Sequence, residues 1–431
     1  MNALTLNART LPRVVAQRTV TTQPGLIERA FALVVLFLAT GGLLPLLRLE
    51  SGVAVDDLEG DRVMQVTWIA IYAITMLLLA RRTRETLGLL CRERWLAVLC
   101  GLAAASILWS VAPDVTLRRT AALFGTTAFA VYLASRYTVH ELLRLVSWVL
   151  ATAVVLSVVA AVFFPSYGIS PDDGTWRGIF VHKNSLGRAM ALACLTMLFK
   201  VRHGRLPNRL IAGAVLVLAA VALLSSSSVA GFLTAFAVIA TMPLWPIFRL
   251  RKAPAIAVTV FALMAMIGVG YWLSTMADVM VAAVGKDPGL TGRTALWAAI
   301  HDSILNRLSL GHGYSAFWLG WDGESAAVWS VLSWKPPHAH NGFLDLLLEL
   351  GVVGVVVFAG GLVTAAGRAA VLVRRTTSVY ALWPVVYLVF MLVVNLAEST
   401  ILVRNSIFWM LYVVTCMWLI RSKDDASRER A

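Results

Sequence analysis

The chain has 431 residues, of which 59% are apolar and only 14% charged, whereas a soluble chain carries about 25% charge. That shortfall excludes an ordinary soluble enzyme and a disordered protein. The 37 Lys and Arg against 23 Asp and Glu give a formal net charge of +14; on a soluble chain this would suggest nucleic acid, but basic loops between membrane spans account for it, and no nucleic-acid partner is expected.

A transmembrane helix needs about 20 apolar residues. Twelve stretches qualify: 27–47, 63–80, 95–111, 117–135, 142–164, 185–201, 210–224, 229–248, 254–274, 342–363, 379–396 and 401–420. Residues 1–26 form a basic, acid-free cytoplasmic tail, 27–274 hold spans one to nine, 342–420 hold spans ten to twelve, and 421–431 form a second basic tail. Only Ser225 to Ser228 separate the seventh and eighth spans, which read equally as one broken hairpin. With the N-terminus inside, the inner loops collect most of the basic residues, among them Arg81, Arg82, Arg84, Arg92 and Arg94, while Asp56, Asp57, Glu59 and Asp61 fall outside. Both termini are therefore expected in the cytoplasm. The four cysteines, none in a predicted outer loop, suggest neither a disulfide nor a metal framework.

Two outer loops are long, 165–184 and 275–341, and loops of this kind are functional or disordered. The first ends in "DDGTWRGIFVHKNSLGR", which crowds Arg177, His182, Lys183 and Asn184 at the mouth of the sixth span, with Arg188 about one turn inside. Cations at a helix N-terminus are unfavourable alone. They become reasonable where an anion binds the free N–H groups; for Lys183 or Arg188 singly, headgroup snorkelling accounts for the residue as well. The second loop opens with "LTGRTALWAAIHDSILNR". Thr291 or Thr294 can cap a helix whose Leu296, Trp297, Ile300, Ile304, Leu305 and Leu308 share one face. That pattern predicts an amphipathic helix on the membrane surface, with Arg293 at its start as a second anion contact. Trp318, Trp321, Trp329 and Trp334 follow. Flat aromatic faces suit sugar rings, although aromatics also gather at bilayer interfaces without catalytic reason; Trp318, Trp321 and Trp334 are the stacking candidates.

The segment "HAHNGFLDLLLELGVVG" places His340 at the mouth of the tenth span, behind Pro336 and Pro337. An imidazole there can act as a base near neutral pH, though a lone interfacial histidine can equally bond headgroups. Asn341, Asp345 and Glu349 follow at i, i+4 and i+8. Ionisable residues in a span are costly and face a polar interior, so Asp345, Glu349 and Glu398, near the outer end of the eleventh span, are candidates to orient a ligand or a basic side chain. A metal site on His338 and His340, with His312 or His182, lacks HExxH, a Cys ligand and a tight carboxylate pair; no metal is expected. Asp172 and Asp173 read as a solvated acidic turn, and there is no P-loop.

These residues carry a resemblance. His340 and Asn341 are followed by nine residues and then Gly351-x-x-Gly354, "RGIFVHKNSLG" contains Arg177, "TGRTALW" contains Arg293, and "WSVAPDVTLRR" ends at Arg119. The set resembles the O-antigen ligase / Wzy polymerase superfamily, and within it is similar to exopolysaccharide-production polymerases of the succinoglycan-polymerase type, over roughly 95–418. The resemblance implies an all-α polytopic membrane protein, GT-C-like with about twelve transmembrane helices and a large periplasmic loop between spans nine and ten. It implies a metal-independent, inverting glycosyltransferase without a cofactor. His340 would be the catalytic base; Arg177 and Arg293, with Lys183, would bind the diphosphate; His338, Asn341, Asp345, Asn184 and Glu398 would support them. The donor would be a glycan on undecaprenyl diphosphate, and the acceptor a glycan hydroxyl, at the periplasmic face of a bacterial inner membrane. Membrane lipid, a flippase and a chain-length regulator are the expected partners. Transfer to lipid A-core by a ligase is the alternative. A secondary transporter is a third reading, against which stand the missing repeats and the outer-face placement of the unusual residues.

Overall fold

The computed structural model describes residues 24–42, 62–204, 206–240, 292–376 and 378–428. Among them the regular structure is helical, apart from an isolated antiparallel bridge between Ile169 and Trp176. Apart from the single turn Pro165–Gly168 and short 3-10 turns, the helices in chain order are α1 (Leu26–Leu38), α2 (Arg62–Ala80), α3 (Thr83–Arg92), α4 (Arg94–Ala105), α5 (Pro113–Arg136), α6 (Val139–Phe163), α7 (Lys183–His203), α8 (Asn208–Ser225), α9 (Val229–Ala240), α10 (Arg293–Asn306), α11 (Ser325–Val331), α12 (Gly342–Arg375), α13 (Leu382–Val394) and α14 (Ile407–Arg428). The ninth expected span, 254–274, lies outside the described residues.

Helices α2, α6, α8 and α12 are long and apolar enough to cross a membrane. Helices α9 and α13 are shorter apolar helices, as are Arg94–Leu108 and Ile407–Arg421. The chain is a multi-pass membrane protein whose described regular structure is helical. Helices α5 and α7 are more polar, yet residues 129–136 of the one and 189–197 of the other are buried throughout. A helix buried all round belongs at the centre of a bundle, where neighbouring helices, not lipid, receive its polar groups. The outer helices show the complement: Val63, Val66, Ile69 and Leu77 of α2 and Leu210, Ile211, Val217 and Leu224 of α8 are exposed apolar side chains. The serine run is a break between two helices. There α7 and α9 cross closely, because a Cβ on Gly231 would overlap the Gly187 backbone.

Local chemistry sets the helix ends. Thr138 and Glu141 form a reciprocal capping box at the start of α6, with bonds of 3.3 and 3.0 Å. Asn341 caps α12: its Oδ1 accepts from the Phe343 and Leu344 amides at 3.0 and 3.2 Å. Helix α12 is broken at Gly351, where φ is 64° and ψ −164°. The break frees backbone groups that an apolar interior cannot leave unpaired. Segment 308–313 pairs with them: the Val352 amide donates to Leu308 (2.8 Å), and the His312 and Gly313 amides donate to Leu348 (2.7 Å) and Glu349 (3.0 Å).

Two expectations for the second outer loop need correction. The cap position of α10 is Gly292, in the left-handed region at φ 55°, with no side-chain cap bond; Thr294 lies inside the helix, and Thr291 lies outside the described residues. The apolar face of α10 does not lie bare. Leu296 and Ile300 are buried against Phe317, Val328, Ala339 and Leu348, and the Trp297 indole donates to the Ala339 carbonyl at 2.9 Å. Residues 292–341 thus form a small packed lobe over the start of α12, with Leu305 and Leu308 left exposed.

Candidate active site

The starts of α7, α10 and α12 meet the loop between α13 and α14 at one end of the bundle. Glu398, in that loop, is the junction and is only 1% exposed. Its Oε1 lies 3.3 Å from Arg293 Nη2 and 3.3 Å from His340 Nδ1, and its Oε2 lies 3.3 Å from Arg188 Nη1. Three helix N-termini, each with a partial positive charge, therefore come within one side chain of each other. Burial alone would raise the Glu398 carboxyl. The His340 hydrogen bond and the Arg188 charge outweigh it and hold the group well below the usual carboxylate range.

His340 is 8% exposed and has a left-handed backbone, φ 51°, a conformation uncommon outside glycine. Strain of this kind collects at functional sites. Its Nδ1 faces Glu398, and its Nε2 is buried with no hydrogen-bond partner among the described residues. The His338 ring lies tilted against it at 49°, with ring centroids 4.1 Å apart, and accepts the His340 amide on Nδ1 at 3.1 Å. Burial, then the neighbouring His340, pushes the His338 imidazole well below its ordinary value.

Asp345 fixes the turn that carries His340. Its carboxylate accepts from the Ala339 amide at 3.0 and 3.2 Å, from the Trp318 indole at 2.8 Å, and from the Ser399 hydroxyl. Asn341 works as the α12 cap and also donates to the Leu396 carbonyl at 3.3 Å. Asn184 joins α7 to Ser228, accepting from its hydroxyl at 3.3 Å.

The remaining expected residues divide. Arg293 is in the cluster. Arg177 is not on Glu398; its Nε donates to the Tyr167 carbonyl at 2.8 Å. Lys183 pairs with Asp173 at 2.5 Å. Burial would raise the Asp173 carboxyl, but the Lys183 and Thr175 bonds hold it well below the usual range. Of the tryptophans, Trp334 is beside His340 at 5.5 Å between centroids, with its Nε1 buried and without a bond among the described residues. Trp318 is tied to Asp345, and Trp321 is 56% exposed beneath the Lys335 ammonium. Arg188 is the residue whose role the sequence understated. A guanidinium one turn inside a span was visible, but its partner is 210 residues away.

His338, His340 and Glu398 bring ligand-type atoms within 4.8 Å of one another. A cation is poorly served there: both Glu398 oxygens already face guanidiniums, and three donors fall short of a closed tetrahedral set. Two guanidiniums and three helix starts favour an anion.

A second polar cluster gathers around Ser315. Ser315, at φ 56°, accepts Arg119 on its carbonyl and receives Arg404 Nη1 on its Oγ at 3.2 Å. Asn405, next in the same loop, accepts from the Tyr72 hydroxyl and from Thr126.

Residues 212–359 match the family model described as O-Antigen ligase. Over 314 residues the chain is 30% identical to the exopolysaccharide production protein ExoQ of Rhizobium meliloti (strain 1021), covering 70% of this chain and 71% of that protein. The segment matched by the family model contains Arg293, His338, His340 and Asp345, and leaves Arg177, Arg188 and Glu398 outside it.

Proposed function

Because the chain belongs to the O-antigen ligase family of membrane polysaccharide polymerases and ligases, we propose that it is an inverting, metal-independent glycosyltransferase that joins oligosaccharide repeat units carried on undecaprenyl diphosphate. The single observation that carries this reading is the two-sided imidazole of His340. Nδ1–H is held by Glu398, whose same oxygen also faces Arg293, and Nε2 is left as a buried acceptor. That is the geometry of a general base with an orienting carboxylate.

In the reaction, the acceptor hydroxyl gives its proton to His340 Nε2 as its oxygen bonds the anomeric carbon from the face opposite the leaving group. The bond from that carbon to the diphosphate breaks, and the electron pair leaves with the lipid diphosphate. Negative charge grows on the leaving oxygen, so fixed guanidiniums help most at that point. Arg293 supplies one; Arg177 and Lys183 line the approach along the 165–184 loop, and Trp334 and Trp321 offer faces to sugar rings. His338, Asn341, Asn184 and Asp345 hold the frame.

The same reading takes the architecture as about twelve spans, GT-C-like, with both termini in the cytoplasm and the site at the periplasmic face of the inner membrane. A flippase would supply the donor, and a chain-length regulator would set product size. The ligase reading, with lipid A-core as acceptor, is kept because the matched family model carries the ligase description. Purified protein in liposomes with a defined lipid-linked repeat tests both. Longer lipid-linked chains, formed with release of undecaprenyl diphosphate, are the expected result. Turnover only when lipid A-core is added supports the ligase, and no transfer with either acceptor overturns the proposal.

A further inference from the structure

The anion that the clustered cations call for is already present, and it belongs to the protein. One buried carboxylate faces two guanidiniums and an imidazole, and all three contacts are 3.3 Å long. Ion pairs that hold each other tightly are shorter, about 2.7–2.9 Å, as Arg136 and Glu28 are at 2.7 Å. The contacts of Glu398 are shared and loose. Exposure also orders the groups: the Arg188 and Arg293 side chains are 22% and 19% exposed, and Glu398 behind them is 2% exposed. An anion arriving from outside meets the guanidiniums first.

We infer that Glu398 is an internal stand-in for the donor diphosphate and that Arg188 is the second guanidinium of that site. The incoming diphosphate draws Arg188 and Arg293 off Glu398 and leaves the carboxylate to His340 alone. Donor binding and preparation of the base are then one event. Before the exchange, the Glu398 charge is divided among three partners. Afterwards it acts on Nδ1–H, and Nε2 becomes the stronger acceptor only when a leaving group is in place. This rests on the diphosphate reading above.

The test measures binding of farnesyl diphosphate, with farnesol as the uncharged control, to the full chain in detergent, together with the KM and kcat of glycan transfer. Glu398→Gln removes the competing charge and keeps a hydrogen-bond acceptor. It should bind the probe several-fold tighter and lower KM, while kcat falls by about tenfold or more because His340 loses its orienting charge. A carboxylate with a merely structural role would weaken both. Probe binding that is unchanged or weaker in Glu398→Gln overturns the inference. If that variant does not fold, Glu398→Asp, which draws the charge back by one methylene, should shift binding in the same direction by less, and no shift overturns the inference. Arg188→Ala in the Glu398→Gln background should still lose probe affinity; unchanged affinity shows that Arg188 only tethers Glu398 and overturns its assignment. If the wild type binds farnesyl diphosphate no better than farnesol, the diphosphate reading itself falls. If the wild type binds, Arg293→Ala does not, and Glu398→Gln is no tighter, only this inference falls.

Discussion

His340 carries its imidazole on a left-handed backbone, φ 51°, that costs a non-glycine residue on the order of 1–2 kcal/mol. His340→Ala should lower glycan transfer by about 10²–10⁴-fold, the range for losing a general base. His340→Gly should be as inactive but melt higher than His340→Ala in detergent, because glycine takes this backbone without strain; equal melting points would mean that the strain is relieved elsewhere. Glu398 gives a pH dependence of stability. Its carboxyl is held below the ordinary 4.5, so its ionised form is favoured in the fold. That contribution is fully present above about pH 5 and is lost as pH falls further, since the unfolded chain then binds the proton first. Melting temperature should therefore decline below pH 5 in the wild type, and less steeply in Glu398→Gln. The residue types were legible in the sequence: His340, Arg293 and Glu398 stand out because ionisable groups at a span boundary need a reason. Their partners were not. Arg188 and Glu398 are 210 residues apart, and Arg293 and Glu398 are 105 apart, distances that only the helix arrangement closes.

At the scale of elements, apolar length located the helices well. The expected spans 63–80, 142–164 and 210–224 lie within α2, α6 and α8 to within a residue or two. In the sequence Asn341 reads only as a supporting site residue, and it also caps α12. Capping was misread at α10, because a left-handed Gly292 turns the chain without a side-chain cap. The break in α12 had no apolar signature, since glycine in a span reads as a packing residue. A Cβ at Gly351 would meet the Ser309 backbone at a φ of 64°. Gly351→Ala should cost about 1–3 kcal/mol and detach segment 308–313 from α12. Circular dichroism melting, with hydrogen exchange at the Val352 and Gly313 amides, would read both effects, and a wild-type melt would mean that the break tolerates a side chain.

For the whole molecule, the basic residues predict topology, and one cysteine reports it. Cys91 is exposed, in the stretch between Arg81 and Arg94, while Cys100, Cys194 and Cys416 are buried. A membrane-impermeant thiol reagent should leave intact spheroplasts unlabelled and modify the protein once the membrane is opened; labelling of intact cells would invert the orientation. The loop between α13 and α14 also has a mechanical meaning. Glu398 and Ser399 grip the site from one end of it, while Arg404 and Asn405 are pinned at the other end to Ser315, Thr126 and Tyr72. The loop behaves as a crossbar with two anchors. Slackening the anchor remote from Glu398, by Arg404→Ala, should therefore change the Michaelis constant for the proposed donor, and an unchanged constant would mean that the two ends of the loop are independent.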